Sequence, residues 1–296
     1  MRSITSKHGV RLMLICVLFD GSAGMLIKLL PWNPFVIAGL RGALASALLF
    51  LYYKNRGIKI VVNRRSILAG AMISAMFITF ISATRMTTAA NAIALQFTNP
   101  VFIILFLFLI FRQKPKAREL LSVLGVFAGV ILIFSGSVSA AGLPGNILGV
   151  VSGAALAGML LFNNRVKDPG EHFGALILGH VVTFIISVWF IISDPPVINT
   201  TTTLAILALG VLQQMVPNIL YAYAIRVVKP LVCSLIMMLQ LVVNPALVFI
   251  MVGEIPGVAE AAGCALILLV SAAAVVTDAK ARRGKIDSAT NVCHPE

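Results

Sequence analysis

The sequence predicts an all-α polytopic membrane protein: ten transmembrane helices form two inverted five-helix repeats, with both termini in the cytoplasm. Three observations lead to this prediction: an apolar composition, ten long apolar segments, and basic residues concentrated in alternate connections. Hydrophobic residues make up 59% of the 296 residues and charged residues only 11%, against about 25% charged in an average soluble domain. This composition disfavours a soluble enzyme, a disordered chain and a secreted disulfide scaffold.

Ten apolar segments are each close to the length of about 20 residues that a helix needs to cross the hydrocarbon core. The connections between them are short, which leaves no room for a soluble domain. In chain order these predicted spans cover residues 12–30, 34–53, 66–84, 89–111, 120–138, 146–162, 173–193, 203–223, 231–252 and 258–277.

The basic residues predict the orientation, because cytoplasmic connections of membrane proteins carry an excess of Lys and Arg. Of the 23 basic residues, 20 lie at the two termini or in the gaps after spans 2, 4, 6 and 8. On the opposite side there are only Lys28 and Arg85, while Arg41 lies inside a span. Both termini are therefore predicted to be cytoplasmic. The net charge of +13 reflects this topology, and no nucleic-acid partner is predicted.

The chain divides near its middle into two halves of five spans each. The uncharged stretch SAAGLPGN at 139–146 marks the boundary, giving a first repeat at 1–142 and a second at 143–296, which ends in a short basic cytoplasmic tail. Asn99-Pro100 in span 4 is echoed by Asn244-Pro245 in span 9. Because each repeat has an odd number of spans, the second copy is inverted. Inverted repeats are typical of secondary transporters, whose substrate site lies near the bilayer midplane.

Several stretches in this order resemble the drug/metabolite transporter superfamily, in particular its EamA-domain type with ten spans. They are DGSAGMLIK (20–28), PFVIAGLR (34–41), Pro100 within span 4, and NPALVFIMVGE (244–254). The resemblance covers residues 10–278. It implies export of small metabolites, such as amino acids, from the bacterial cytoplasm across the cytoplasmic membrane.

Two positions depart from the pattern of that superfamily. Asp20 stands where the family usually has Trp, and Gln113 stands where a Glu often closes span 4, while the counterpart Glu254 is kept. The substrate and the coupling ion therefore do not carry over from relatives.

Asp20 and Arg41 are ionisable residues within predicted spans, and such residues are functional candidates by default. At 1.5 Å per residue, Asp20 lies roughly 12 Å and Arg41 roughly 18 Å from the cytoplasmic ends of their spans. One interpretation makes Asp20 a proton or cation site that is coupled to transport. The other is a fixed Asp20–Arg41 ion pair that holds two helices together. His180, an imidazole inside span 7, is interpreted as a packing residue, with a titrating group as the alternative.

A set of polar side chains in spans 4, 8 and 9 forms the predicted substrate-binding residues, since neutral amides offer donors and acceptors without a fixed charge. The alternative is that some of them make only interhelical hydrogen bonds. Pro100 and Pro245 are predicted to kink their helices, either to shape the cavity or as static bends. The polar set is Asn91, Gln96, Asn99, Gln214, Asn218, Tyr221, Gln240 and Asn244.

The sequence therefore predicts a secondary, gradient-driven transporter for a small molecule, embedded in the lipid bilayer and working by alternating access. The alternative is efflux of cationic drugs or polyamines, and an intramembrane enzyme or a lipid-handling protein ranks lower. No enzyme motif, metal site or cofactor is predicted. Protons or another ion as the coupling partner, and a monomer or a homodimer as the assembly, are left open.

Overall fold

In the computed structural model, the described residues are 6–113, 117–136, 142–163, 169–224, 227–228, 233 and 236–292, and within them every regular element is helical. The helices, numbered in chain order, are α1 (Ser6–Gly21), α2 (Ala23–Lys28), α3 (Pro34–Asn55), α4 (Arg64–Met86), α5 (Ala89–Gln96), α6 (Asn99–Phe111), α7 (Ala117–Gly136), α8 (Leu143–Asn163), α9 (Pro169–Ser193), α10 (Thr200–Ala208), the π-helical segment Leu209–Met215, α11 (Val216–Ala224), α12 (Gln240–Val252) and α13 (Val258–Val292).

Polar residues in the short connections define where several helices begin. The side-chain oxygen of Asn33 accepts from the Phe35 N–H just before Pro34, and that of Thr88 accepts from the Asn91 N–H. Asn63 and Asn199 each form a reciprocal capping box with the third helical residue. These bonds satisfy backbone donors that have no partner inside the helix. Each of these helices therefore begins directly after its capping residue.

In the described part of the chain, seven stretches of helix are long and apolar enough to cross a membrane, and three further apolar helices are shorter. The shorter ones are Leu120–Ser135, Gln240–Val252 and Val258–Ala274. The described residues are thus all-helical in their regular elements, and the length and composition of the helices indicate a multi-pass membrane protein. The count of ten crossings and the cytoplasmic position of both termini stay predictions.

Within the described residues, four predicted spans contain an interruption or an irregular turn. Span 1 breaks at Ser22 between α1 and α2, and span 4 breaks at residues 97–98, just before Asn99-Pro100. Span 8 contains the π-helical segment, whose wider turn shifts the following helix in register. Pro245 lies inside α12, which begins at Gln240 after a turn at residues 238–239.

The helix pairs in contact repeat themselves when each predicted span is exchanged for the one five spans later. Thus α4 in span 3 packs on α8 in span 6 and, correspondingly, α11 in span 8 packs on α1 in span 1. In the same way α4 in span 3 packs on α9 in span 7, and the π-helical segment in span 8 packs on α3 in span 2. Two pairs, α3 with α9 and α7 with α13, map onto themselves. This pattern is the one expected of two related halves.

The hydrogen bonds between helix ends define two ends of the bundle. At one end, Asn63 before α4 donates to Glu171 in α9, and the Tyr52 hydroxyl in α3 bonds that of Tyr223 in α11. We call this the predicted cytoplasmic end. The end at which α2 finishes, with Lys28, is called the predicted outer end. The largest apolar core lies between them and includes Ile37, Ile81, Leu95, Leu209 and Ile267.

The boundary between the predicted repeats lies partly outside the described residues, since 137–141 are not among them. The division at 142/143 therefore stays a prediction, although α8 begins at Leu143. The predicted tail continues the last helix, because α13 runs to Val292 without a break.

Candidate functional site

Arg41 lies in the middle of α3 and is only 1% exposed. Its Nη2 donates a 2.9 Å hydrogen bond to Oε1 of Gln214, and its Cζ lies 4.3 Å from the ring centroid of Phe77. Among the described residues, no carboxylate lies within salt-bridge distance of this guanidinium. A buried cation is thus held by a neutral amide and an aromatic face. The π-helical segment brings Gln214 to this position, and such segments are frequent at functional sites.

Asp20 lies at the end of α1, two residues before the break at Ser22. Its Oδ2 accepts a 3.4 Å hydrogen bond from Nε2 of Gln240 in α12 and a weak one, 3.8 Å long, from Sγ of Cys16. Gln240 begins α12, so the turn before that helix sets the position of the amide. Asp20 is therefore held by a neutral amide, as Arg41 is.

Asp20 and Arg41 lie at the same depth in the bundle. Asp20 comes fourteen residues after Ser6, where α1 begins, and Arg41 comes fourteen residues before Asn55, where α3 ends. At 1.5 Å per residue, each is roughly 21 Å from the predicted cytoplasmic end. The sequence predicted unequal depths because it placed the start of span 1 at residue 12, whereas α1 already begins at Ser6. The two charges attract each other, but they are more than the 4.0 Å of a salt bridge apart.

Four buried polar atoms on elements that carry or adjoin this pair have no hydrogen-bond partner among the described residues. They are both side-chain polar atoms of Asn244, which is fully buried, Nε2 of His180 and Oε1 of Gln213. Asn244 packs against Gly24, where an added Cβ would collide with its Oδ1. The His180 ring stacks on Phe77 at 5.0 Å, the same ring that Arg41 contacts. Buried polar atoms normally find partners, so each exception calls for an explanation.

The other predicted substrate-binding residues do not gather around this pair. Gln96 donates from Nε2 to Oγ of Ser152 at 2.8 Å, which ties α5 to α8. Asn218 donates to the backbone oxygen of Gln214, one turn earlier in its own helix. Tyr221 is 40% exposed. Asn99 is half-buried at the start of α6, and the next residue, Pro100, borders a small apolar cleft of about 10 Å³ next to α7 and α13.

Asn91 belongs instead to a polar network at the predicted outer end, which we call the outer seal. The seal consists of Lys28, Thr87, Asn91, Asn146, Glu254 and Glu260. Lys28 Nζ lies 2.7 Å from Oε2 of Glu254 and donates to the backbone oxygen of Thr87 at 2.9 Å. Nδ2 of Asn91 donates to Oε1 of Glu260 at 3.0 Å. The seal joins helices of both predicted halves.

Sequence reasoning missed the seal, although three of its residues carried a signal. Lys28 is one of only two basic residues at the predicted outer connections, and it closes a span. Glu254 and Glu260 are acids at the ends of apolar segments, which are equally consistent with solvated positions. Glu260 is buried and also accepts from the Gly257 N–H, so it caps α13 while it binds Asn91. Phe77 was missed because an aromatic residue in an apolar span carries no distinguishing signal.

Replacing Gln96 by leucine is expected to cost little stability, about 0.6 kcal/mol, the average for an interhelical hydrogen bond in a membrane. The measurement is thermal unfolding of the purified protein in detergent. Gln96 contacts Ser152 and not the charged pair, so ligand affinity should be unchanged. A large loss of affinity would show that Gln96 touches the ligand after all.

Residues 7–135 match the model of the EamA-like transporter family, which is part of the drug/metabolite transporter superfamily. A solved structure described only as "Crystal structure of protein" is similar over 92% of this chain and 99% of its own, with 18% identity and a TM-score of 0.64. At that identity the likeness concerns the fold alone. No curated protein matches the sequence. The family match confirms, over residues 7–135, the predicted resemblance to the EamA type of the drug/metabolite transporter superfamily.

Proposed function

We propose that the protein is a secondary transporter that exports small polar metabolites, amino acids among them, across the bacterial cytoplasmic membrane. In this proposal ten spans form two inverted five-helix halves at 1–142 and 143–296, with both termini in the cytoplasm. A proton or ion gradient drives the cycle. The family match supports a membrane transporter of this superfamily, and the symmetric helix contacts support two related halves.

The observation that carries alternating access is the composition of the outer seal. Its contacts are one ion pair and several hydrogen bonds between helix ends of the two halves. Asn91 and Glu260 are buried, and Lys28 and Glu254 are partly exposed. The net free energy of such contacts is modest, because water replaces the hydrogen bonds when the end opens. A polar seal can therefore open and close during a transport cycle, whereas separating a packed apolar interface would be costly.

The central pair supports a polar substrate. Asp20 and Arg41 lie roughly 12 Å and 18 Å from the cytoplasmic ends of their predicted spans, within a hydrocarbon core about 30 Å thick. Charged residues at such depths mark substrate and ion pathways in membrane proteins. The interruptions at Ser22 and before Gln240 lie next to this pair, as discontinuous helices do at transporter binding sites.

Uptake into proteoliposomes tests this function. The full-length protein is reconstituted with a pH gradient or a membrane potential, and uptake of radiolabelled amino acids, organic cations and polyamines is followed. We expect at least one amino acid to accumulate above its equilibrium level and an ionophore to abolish the accumulation. Accumulation of cations only would favour the drug or polyamine alternative. Uptake that does not depend on the gradient, or no uptake of any compound, would contradict the proposal.

A further inference from the structure

Asp20 and Arg41 carry opposite charges at the same depth, yet each is bound by a glutamine and not by the other. Gln240 holds the carboxylate at 3.4 Å, and Gln214 holds the guanidinium at 2.9 Å. Both glutamines come from the predicted second half, whereas both charges come from the first. Because opposite charges in a low-dielectric interior attract strongly, their separation indicates that the gap between them has a use.

Each glutamine presents the group that a charged ligand would present at the same place. Gln214 offers its carbonyl oxygen to Arg41, as a carboxylate would offer an oxygen. Gln240 offers its N–H to Asp20, as an ammonium would. A charged ligand group adds a Coulomb attraction that a neutral amide lacks, and this attraction is strong in a low-dielectric interior. A ligand with both charges would therefore compete with both amides for Asp20 and Arg41.

Unpartnered polar atoms lie next to each charge and offer further contacts to such a ligand. The Asn244 amide lies one helical turn after Gln240 in α12, and its two polar atoms have no partner. Next to Arg41, the backbone oxygen of His180 lies against Gly42, and Nε2 of the same histidine has no partner. An amide and an imidazole in these positions satisfy a ligand that bears both donors and acceptors.

We propose that Asp20 and Arg41 are the two poles of a binding site for a small zwitterion, whose ammonium group binds Asp20 and whose carboxylate binds Arg41. This inference rests on the proposed function and specifies its substrate class. A ligand that donates to Asp20 and accepts from Arg41 satisfies both charges, which form no salt bridge with each other. A ligand with a single charge satisfies one pole and leaves the other without a charged partner.

The first test measures binding of capped and uncapped amino acids to the full-length protein in detergent by thermal shift and calorimetry. The probes are the common L-amino acids, each with its methyl ester, which keeps only the cation, and its N-acetyl form, which keeps only the anion. We expect at least one free amino acid to bind about tenfold or more tightly than either capped form, because each cap removes one charged hydrogen bond.

Two variants assign the poles. Asp20→Asn should weaken binding of the free amino acid and of its methyl ester about tenfold and leave binding of the N-acetyl form unchanged. Arg41→Gln should weaken binding of the free amino acid and of the N-acetyl form and leave binding of the methyl ester unchanged. If the two residues served only in packing, each variant would weaken binding of all three ligands alike. Size-exclusion profiles and circular dichroism establish that each variant is folded.

A third variant keeps the proposal testable if Arg41→Gln does not fold. Gln214→Glu places a carboxylate on Arg41 without changing side-chain size, so it imitates the bound ligand. We expect it to raise the melting temperature of the ligand-free protein and to abolish binding of the free amino acid. The matched control is Gln213→Glu, one residue earlier, where Oε1 has no partner; the same new charge should lower the melting temperature there.

The zwitterion site is overturned if no free amino acid binds the folded wild type, if either capped form binds as tightly as the free amino acid, or if Gln214→Glu still binds the ligand. Its failure can be distinguished from failure of the transporter proposal in proteoliposomes. Gradient-driven uptake of organic cations without amino-acid binding would contradict the zwitterion site and leave a secondary transporter standing. Absence of any gradient-driven uptake would contradict both.

Discussion

Replacing Gly153 by alanine is expected to lower the stability of the protein by about 1–2 kcal/mol, although alanine is the better helix former. A Cβ at this position would lie 2.7 Å from Oγ1 of Thr98 and 2.9 Å from the backbone oxygens of Leu95 and Gln96. Backbone atoms at the end of α5 cannot move aside as a flexible side chain does. Overpacking costs about 1–3 kcal/mol, and the upper part of that range applies here because backbone atoms would have to move. After the gain of about 1 kcal/mol from helix propensity, a net loss of about 1–2 kcal/mol remains.

Gly158→Ala is the matched control, because it makes the same change in the same helix α8. Its Cβ would meet Sδ of Met72 at 2.8 Å, and a methionine side chain can adopt another rotamer. The melting temperature in detergent should therefore fall clearly for Gly153→Ala and change little for Gly158→Ala. Equal effects of the two changes would mean that α8 does not press on the end of α5 as the structure indicates.

The positions of the helices could be predicted from the sequence, because hydrophobic length is a property of each segment alone. Predicted spans such as 34–53, 66–84 and 146–162 differ from α3, α4 and α8 by a few residues at their ends. Those ends depend on capping by Asn33 and Asn63, which extends or shortens a helix beyond its apolar run. The break at Ser22 and the π-helical segment could not be predicted, since both depend on packing against other helices.

The candidate site was predicted only in part, for a physical reason. An intramembrane charge is recognisable in any sequence, so Asp20 and Arg41 were found. The amides that bind them were also among the predicted residues, but so were Gln96 and Asn91, whose partners are Ser152 and Glu260. An amide has the same side chain whether it faces a ligand or a neighbouring helix. Its partners lie far away in the chain, and only the fold identifies them.

Replacing Lys28 by methionine is expected to open the outer seal. The change removes the ion pair with Glu254 and the bond to the Thr87 backbone oxygen. Of the partners that the described residues provide, Glu254 then keeps the Ala89 N–H alone. Hydrogen bonds to charged groups contribute about 1.5–3 kcal/mol, but both side chains are partly exposed, so the low end of that range applies. A shift of that size moves the equilibrium between closed and open ends about tenfold.

Cys264 provides a native reporter for this opening. It lies one turn after Glu260 in α13, half-buried behind the seal, and its Sγ bonds the backbone oxygen of Ala90 at 3.6 Å. With Cys16, Cys233 and Cys293 replaced by serine, a membrane-impermeant maleimide is applied from the outer side of proteoliposomes. Labelling of Cys264 should become about tenfold faster in Lys28→Met, in line with the shift in the equilibrium.

Arg85→Met is the control, because it removes the same charge at the same predicted end from a residue that forms no salt bridge in the described part of the chain. Its labelling rate should equal that of the parent protein. The double variant Lys28→Glu/Glu254→Lys restores the ion pair in reverse, but a lysine at 254 cannot accept from the Ala89 N–H. Its labelling rate should therefore fall between those of the parent protein and Lys28→Met. If Lys28→Met and Arg85→Met label alike, the ion pair does not hold the outer end closed, and alternating access needs another gate.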